Sequence, residues 1–538
     1  MVFARRSTTL LAAIIASCAM VLSLTACTSD NKTVVDGQTT VTSNSAGGVA
    51  VFTPSDGITL NQQMPLNKWA KLVPDLTKAL VDAGFKKGDI DHTTSDSLAK
   101  QSRAIQDFVV DHLSNNTTDD SGIAIAPDNM TLLVAPVVEA DASTRQYGDY
   151  VSQNLSTNDV TDEGATSDGE SSKDDSSNTE SDSTASDEQA QAVDRLVSSL
   201  KLAKESGMHV VLLGNSIEGY KPDAFVKFSD AQTIGKLQAE KMVSKLKLDK
   251  ASKDNPKYIE VLLPYTAMDE KGNANDSTFA QEAFRGIWQV LGSYYQKGVV
   301  ESPSGTLDGK STENDWQAVA YDAAKEGSTA KVLDKRLAKT DGQSTLTRID
   351  GIITMNDYIA SEVVKELDDL GYTGSAADIN PQITISGIVG NITGKKDLSR
   401  DAVPDPIKSP ENDNANDSSS SDDDADEDTS ASDKDRDSQW PLVTGYGAYV
   451  SNIPSIVNGK QWMTGMEDRQ TIATDIAQAC AKLNKDEALN SMPSIRNSEV
   501  GGVKKIPTIS EPLLAVSASN LKSALIDPGY ISLADAGL

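Results

Sequence analysis

Three places along the chain set an amide or carboxylate beyond an apolar run or in a nearby loop. They are Asn215 after HVVLLG, the looser pair Asn275-Asp276, and Asn356-Asp357 after GIITM. A fourth, Tyr446, follows the apolar Leu442-Val443 within VTGYGAYVSNIPSIVNGKQWMT (443–464). Amides and carboxylates together both donate and accept hydrogen bonds, which suits a ligand rich in hydroxyls. The chemistry on offer is binding, not bond breaking. Any one of these residues also serves as a helix N-cap, and Asn356-Asp357 before YIASEVVKEL is well placed to do so. Their recurrence is what favours a ligand site.

The ingredients of catalysis are missing from the sequence. There is no serine elbow, zinc-ligand spacing or defined carboxylate pair. Abundant Asp and Glu do not make a glycosidase, which needs two carboxyls at a set separation. SGTLDGKST (304–312) resembles a phosphate loop but has Ser304 where its first glycine is required. His92, His112 and His209 are scattered among different elements. The chain is expected not to be an enzyme and to use neither cofactor nor metal.

Arg5-Arg6 and the uncharged apolar stretch Leu10 to Leu24 lead into Leu24-Thr25-Ala26-Cys27, which fits the lipobox of a bacterial lipoprotein signal. Residues 1–26 are expected to be a signal peptide and Cys27 the lipidated residue, followed by a flexible tether over 27–46. Ile15-Ala16-Ser17-Cys18 fits the pattern too, but leaves too short an apolar core before the cut. No later segment approaches eighteen unbroken apolar residues, so attachment to the membrane is expected through lipid alone. Cys480 is left without a partner, which excludes an intramolecular disulfide. Its position in TDIAQACAKL marks it as a buried small hydrophobe.

The formal net charge of −30 is unevenly spread. Ser156 to Ala190 holds eleven acidic residues and one lysine, and Asp401 to Asp437 fourteen acidic and three basic residues. About 21 of the negative charges thus sit in two Ser/Asp-rich segments that bury too little apolar surface to offset ordering entropy, and both are expected to be disordered insertions. No basic face exists to meet phosphate, so nucleic acid is excluded as a partner.

With tether and insertions set aside, strands and helices alternate. Strands are expected at Gly48 to Phe52, Leu132 to Pro136, His209 to Leu213, Tyr258 to Leu263, Gly351 to Thr354 and Ile383 to Val389. Helices are expected at Trp69 to Gly84, Ala192 to Gly207, Asp230 to Leu246, Phe279 to Tyr295, Trp316 to Ala338 and Tyr358 to Gly371. Repeated βα units with near-continuous apolar strands give an α/β fold of parallel sheets covered by helices. The strands are too many for one compact sheet and suit two domains.

LNKWAKLVPDLTKALVDAGF, FSDAQTIGKLQAEKMV, MNDYIASEVVKELDDLGY, the 443–464 stretch and KIPTISEPLLAVSASNLKSALIDPGYI occur in an order that resembles one family. These segments are similar to the type I periplasmic-binding proteins that serve sugar ABC importers, in the xylose-, ribose- and multiple-monosaccharide-binding group. The resemblance spans about 400 residues and skips both acidic segments. It implies two Rossmann-like lobes with parallel sheets joined by a three-strand hinge, closing around a sugar. The first lobe would cover 47–228 with its insertion at 156–190, and the second 229–460 with its insertion at 401–438. Residues 461–500 would return to the first lobe and 501–538 close the second. The ligand-binding positions it implies are Lys68, Trp69, Asn215, Asn275, Asp276, Tyr321, Asn356, Asp357 and Tyr446. Trp69 would stack on the apolar face of a pyranose while amides and carboxylates take its hydroxyls. The implied partners are a monosaccharide-like solute and an ABC permease. The protein itself would be a monomer anchored outside the cytoplasm, at a Gram-positive cell surface. The sequence departs from the family at Gly447, where an Asp is usual, and at Gly214-Asn215, where an Asp-Arg pair is usual. Those departures motivate an alternative: a non-transport surface or sensory protein on a degenerate sugar-binding fold.

Overall fold

The computed structural model describes residues 46–55, 65–115, 129–138, 144–151, 153–156, 180–268, 275–338, 346–377 and 440–538. The signal segment, Cys27, the tether, the second acidic segment and the strand expected at Ile383 to Val389 lie outside the described residues. So do residues 157–179 of the first acidic segment.

Seven strands form the first sheet, in the order Ile495–Val500, Val503–Ser510, Ala224–Lys227, His209–Leu213, Met130–Val134, Gly48–Pro54 and Ile90–Ser95. All neighbours run parallel except the first pair, a hairpin. Successive side chains of a strand face opposite ways. Val49, Val51, Leu133, Val211 and Leu213 therefore enter one core with the helices Trp69–Asp82 and Arg469–Leu483. Ala50, Phe52, Leu132, Val210 and Leu212 enter another with Leu98–Asn115 and Glu180–Glu205. The second lobe repeats this plan with four parallel strands, Val300–Glu301, Lys257–Val261, Gly351–Ile353 and Leu442–Thr444. Its helices include Ala231–Lys245, Thr278–Gln296 and Asp357–Asp369.

Among the described residues the chain passes between the sheets three times: after Lys227, after Met466 and after Ser510. The last two passages are joined by an antiparallel pair, Met463–Met466 with Leu514–Ser517. Two parallel lobes and three passages make this the type I periplasmic-binding-protein fold. Cys480 is fully buried in the first lobe's core, and burial pushes its thiol well above the usual range.

The structure differs from expectation in three places. The helix expected over Trp316 to Ala338 is two short helices, Trp316–Val319 and Ser328–Arg336. Between them Ala320–Tyr321 pairs with Leu263–Pro264 and Gly327 turns the chain with φ +69°. The helix expected from Ala192 begins at Glu180, inside the first acidic segment. An acidic run is compatible with a helix start, where the dipole favours negative charge. Lastly, Val503–Ser510 belongs to the first sheet, so the chain rejoins the second lobe's side at Leu514 and not at Gly501.

Candidate functional site

The loop Gly445–Tyr449 follows the strand Leu442–Thr444, and Asp357 holds it in shape. This carboxylate is fully buried. It accepts from Tyr449 N (2.9 Å), Thr464 Oγ1 (2.8 Å) and Gln461 Nε2 (2.7 Å), and its own N–H donates to the Tyr446 carbonyl (3.0 Å). Burial pushes the Asp357 carboxyl up to about 6 in spite of these donors. Asp357 is thus committed to the loop. Its neighbour Asn356 caps the following helix, Oδ1 accepting from Ile359 N at 2.9 Å, and its Nδ2 donates to Gln146 Oε1 at 3.2 Å.

Tyr446 ties this loop to the hinge. Its hydroxyl meets Ser229 Oγ at 2.5 Å and Glu467 Oε1 at 3.4 Å, and Ser229 N donates to Glu467 Oε1 at 2.6 Å. Ser229 and Glu467 lie on the first and second passages, so one buried cluster joins both. Burial pushes the Glu467 carboxyl up to about 7 and holds the Tyr446 phenol well above its usual range.

On the first lobe, the helix Trp69–Asp82 starts after Lys68, which offers it no side-chain cap. Asp149 does so instead. Its Oδ2 accepts from Trp69 N (3.1 Å) and its Oδ1 pairs with Lys68 Nζ (2.7 Å). Trp69 is only 2 % exposed, edge-on to Tyr150 (5.1 Å) and Phe228 (5.7 Å), and those two rings stack at 4.8 Å. Tyr150 also donates from its hydroxyl to the Lys68 carbonyl at 2.5 Å. Asn215 accepts from Gln153 N (3.0 Å) and donates to the Pro136 carbonyl (2.9 Å).

These bonds have a common origin. The segment Thr144–Val151, TRQYGDYV, lies between the lobes and contacts both. Tyr147 sits in the second lobe's core, its ring 4.7 Å from Phe279 and 6.3 Å from Tyr446, while Tyr150 sits in the first lobe's core. The Gln146 carbonyl accepts from Tyr449 OH at 2.7 Å, and Asp149 N donates to the Asn67 carbonyl at 2.8 Å. Lys68, Trp69, Asn356 and Tyr446 all meet this segment, and Asn215 meets its continuation at Gln153. Sequence reasoning missed it, because a short irregular segment has no periodicity to read. The density of QYGDY in aromatic and charged groups is the only signal that could have found it.

The two glycine departures have physical causes. Leu66 N donates to the Gly447 carbonyl at 2.8 Å, so the chain entering the first helix lies on that loop. A Cβ at Gly447 (φ +115°) would come within 2.9 Å of the Tyr449 ring and 3.3 Å of Pro65, leaving no room for Asp. At Gly214 (φ +70°) a side chain would grow toward Trp69 and Phe228, 3.5–3.6 Å away.

The remaining candidates stand apart from this group. Tyr321 packs in the second lobe's own core and shares its hydroxyl with Thr329 at 3.0 Å. Asn275 donates from Nδ2 to the Thr266 carbonyl at 2.8 Å, and exposed Asp276 accepts from Thr278 N at 2.9 Å. Among the described residues no cluster of His, Cys, Asp and Glu could hold a metal. No described helix is long and apolar enough to cross a membrane.

The sequence matches no protein-family model and no curated protein. Among solved structures it is similar to an ABC transporter solute-binding protein from Clostridium phytofermentans with bound β-D-glucose. Identity is 16 %, TM-score 0.44, and 91 % of this chain and 99 % of that chain are covered. A carbohydrate transporter solute-binding protein from Chloroflexus aurantiacus, in complex with D-glucose, has 18 % identity and TM-score 0.43, covering 92 % and 98 %. A periplasmic ribose ABC transporter from Conexibacter woesei has 13 % identity and TM-score 0.43, covering 90 % and 96 %.

Proposed function

We propose that the chain captures a sugar or sugar-like solute between its two lobes, outside the cytoplasm, and delivers it to an ABC permease while Cys27 anchors it by lipid. The supporting observation is the convergence of Lys68, Trp69 and Asn215 from one lobe with Asn356 and Tyr446 from the other, across a hinge of three passages. Such a set grips a solute only when the lobes are together, so binding favours closure by the difference in contacts. The groups at hand are aromatic faces, amides and one cation, which suit a ring bearing hydroxyls.

The test is a thermal-shift screen of the chain from Ser45 onward, which forms one contact unit. The panel holds monosaccharides, polyols and nucleosides. A true ligand at 100 times its Kd is expected to add about 2.7 kcal/mol of stability. No shift across the panel would count against capture. The second reading, a non-transport surface or sensory protein, is favoured by one observation: the chain's own residues fill the cleft. Permease and ATPase genes beside this one would favour transport; histidine-kinase or cell-wall genes would favour the second reading.

A further inference from the structure

We infer that Thr144–Val151 is an internal occupant of the solute site, which holds the lobes together without solute and must leave the cleft before solute can enter. The inference rests on the proposed cleft function and adds its regulation. Three observations support it.

First, the segment satisfies the groups a solute would use. Asp149 takes the Lys68 ammonium and the Trp69 amide, Gln146 takes the Asn356 amide, and the Tyr150 ring covers the face of the site beside Trp69 and Phe228. A pyranose likewise offers oxygen acceptors and an apolar face to set against an aromatic ring. Second, it bridges the lobes within four residues, Tyr147 in one core and Tyr150 in the other. It thereby supplies closed-state contacts that normally wait for ligand. Third, it is tied into neither sheet. It belongs to no strand of either sheet, its only helical turn is Arg145–Tyr147, and the Lys68–Asp149 pair is about a fifth exposed (19 % and 20 %). Its departure exposes the Tyr147 and Tyr150 rings, each 1 % exposed, and a solute's own contacts must offset that loss.

The consequence is a competition. If the segment is out of the cleft in about one molecule in a hundred, the apparent affinity for solute is about 100-fold weaker than the intrinsic one. Removing the segment's grip returns that factor.

The experiment uses the full-length chain and its Asp149→Ala/Tyr150→Ala variant, with D-glucose, D-ribose and D-xylose as probes. Lobe separation is read by small-angle scattering without solute, and binding by calorimetry. The expected result is a wider lobe separation in the variant and at least a tenfold gain in affinity for the probe that binds. Unchanged separation with unchanged affinity overturns the occupant and leaves sugar capture standing. A variant that opens yet binds none of the probes upholds the segment as a latch and rejects the sugar reading. Hydrogen exchange on the unaltered protein gives a measurement independent of the variant's folding. Amides of 144–151 are expected to be protected without solute and to lose protection when a probe binds, and protection retained in the bound protein overturns the inference.

Discussion

Two segments that meet between the lobes, Gly445–Tyr449 and Thr144–Val151, are held by different means. The Gly445–Tyr449 loop hangs on Asp357, a carboxylate without solvent access whose oxygens meet three donors. The Thr144–Val151 segment is held by an ion pair that water reaches and by tyrosine rings pushed into each lobe. Buried, fully bonded charge is costly to disturb, whereas a partly exposed pair is screened and worth little. On the proposed occupancy the first is scaffold and the second the part that moves. The contrast also sorts the polar groups: the Asp357 oxygens are taken by donors on and beside the loop, whereas Lys68 and Asn356 bond to Asp149 and Gln146 of the segment.

The largest expected effect tests the scaffold. Asp357→Ala strands the donors of Gln461, Thr464 and Tyr449 in the interior, each costing about 1–3 kcal/mol. A loss on the order of 4 kcal/mol is expected in urea unfolding, and a loss below about 1 kcal/mol would erase the distinction between the two segments.

The next effect is set by pH. Asp357 is raised from 3.8 to about 6 and Glu467 from 4.5 to about 7, both chiefly by burial. The folded chain therefore keeps protons that the unfolded chain has already released. This contribution is fully present below the ordinary values and is lost as pH rises through about 6 and about 7. Between pH 5 and 8 stability is expected to fall by roughly 3 kcal/mol. Glu467→Gln should flatten the upper part of that fall. A rise in stability over this window, followed by thermal unfolding, would contradict the buried charge at the hinge.

The smallest effect tests the Thr144–Val151 segment. Tyr150→Phe keeps the ring against Trp69 and Phe228 but removes the hydroxyl's bond to the Lys68 carbonyl. About 1 kcal/mol is expected, seen as faster hydrogen exchange across 144–151 with little change in global unfolding. A global loss as large as that of Asp357→Ala would make the segment scaffold as well.

Much of the fold was legible because it is written in local periodicity. The strand His209–Leu213 and the helices Trp69–Asp82 and Thr278–Gln296 follow directly from apolar spacing, and capping by Asn356 follows from its place before a helical run. Trp316 to Ala338 misled because its apolar spacing suits a helix, whereas pairing of Ala320–Tyr321 with Leu263–Pro264 overrides that propensity. The site was legible as a set of positions but not as a set of roles. Asp357 reads as a sugar-binding carboxylate until its three donors are seen.

The amino-acid sequence alone determined the βα alternation, the location of the negative charge and the glycines that depart from the resembled family. Those properties depend on residue type and near-neighbour spacing. Only the tertiary structure decided why the glycines are there and which segment lies between the lobes. Gly447 lies under Pro65 and Leu66, far away in sequence, and Thr144–Val151 has partners 80 to 300 residues away. Contacts made across such separations are set by how the lobes come together, and no local pattern records them.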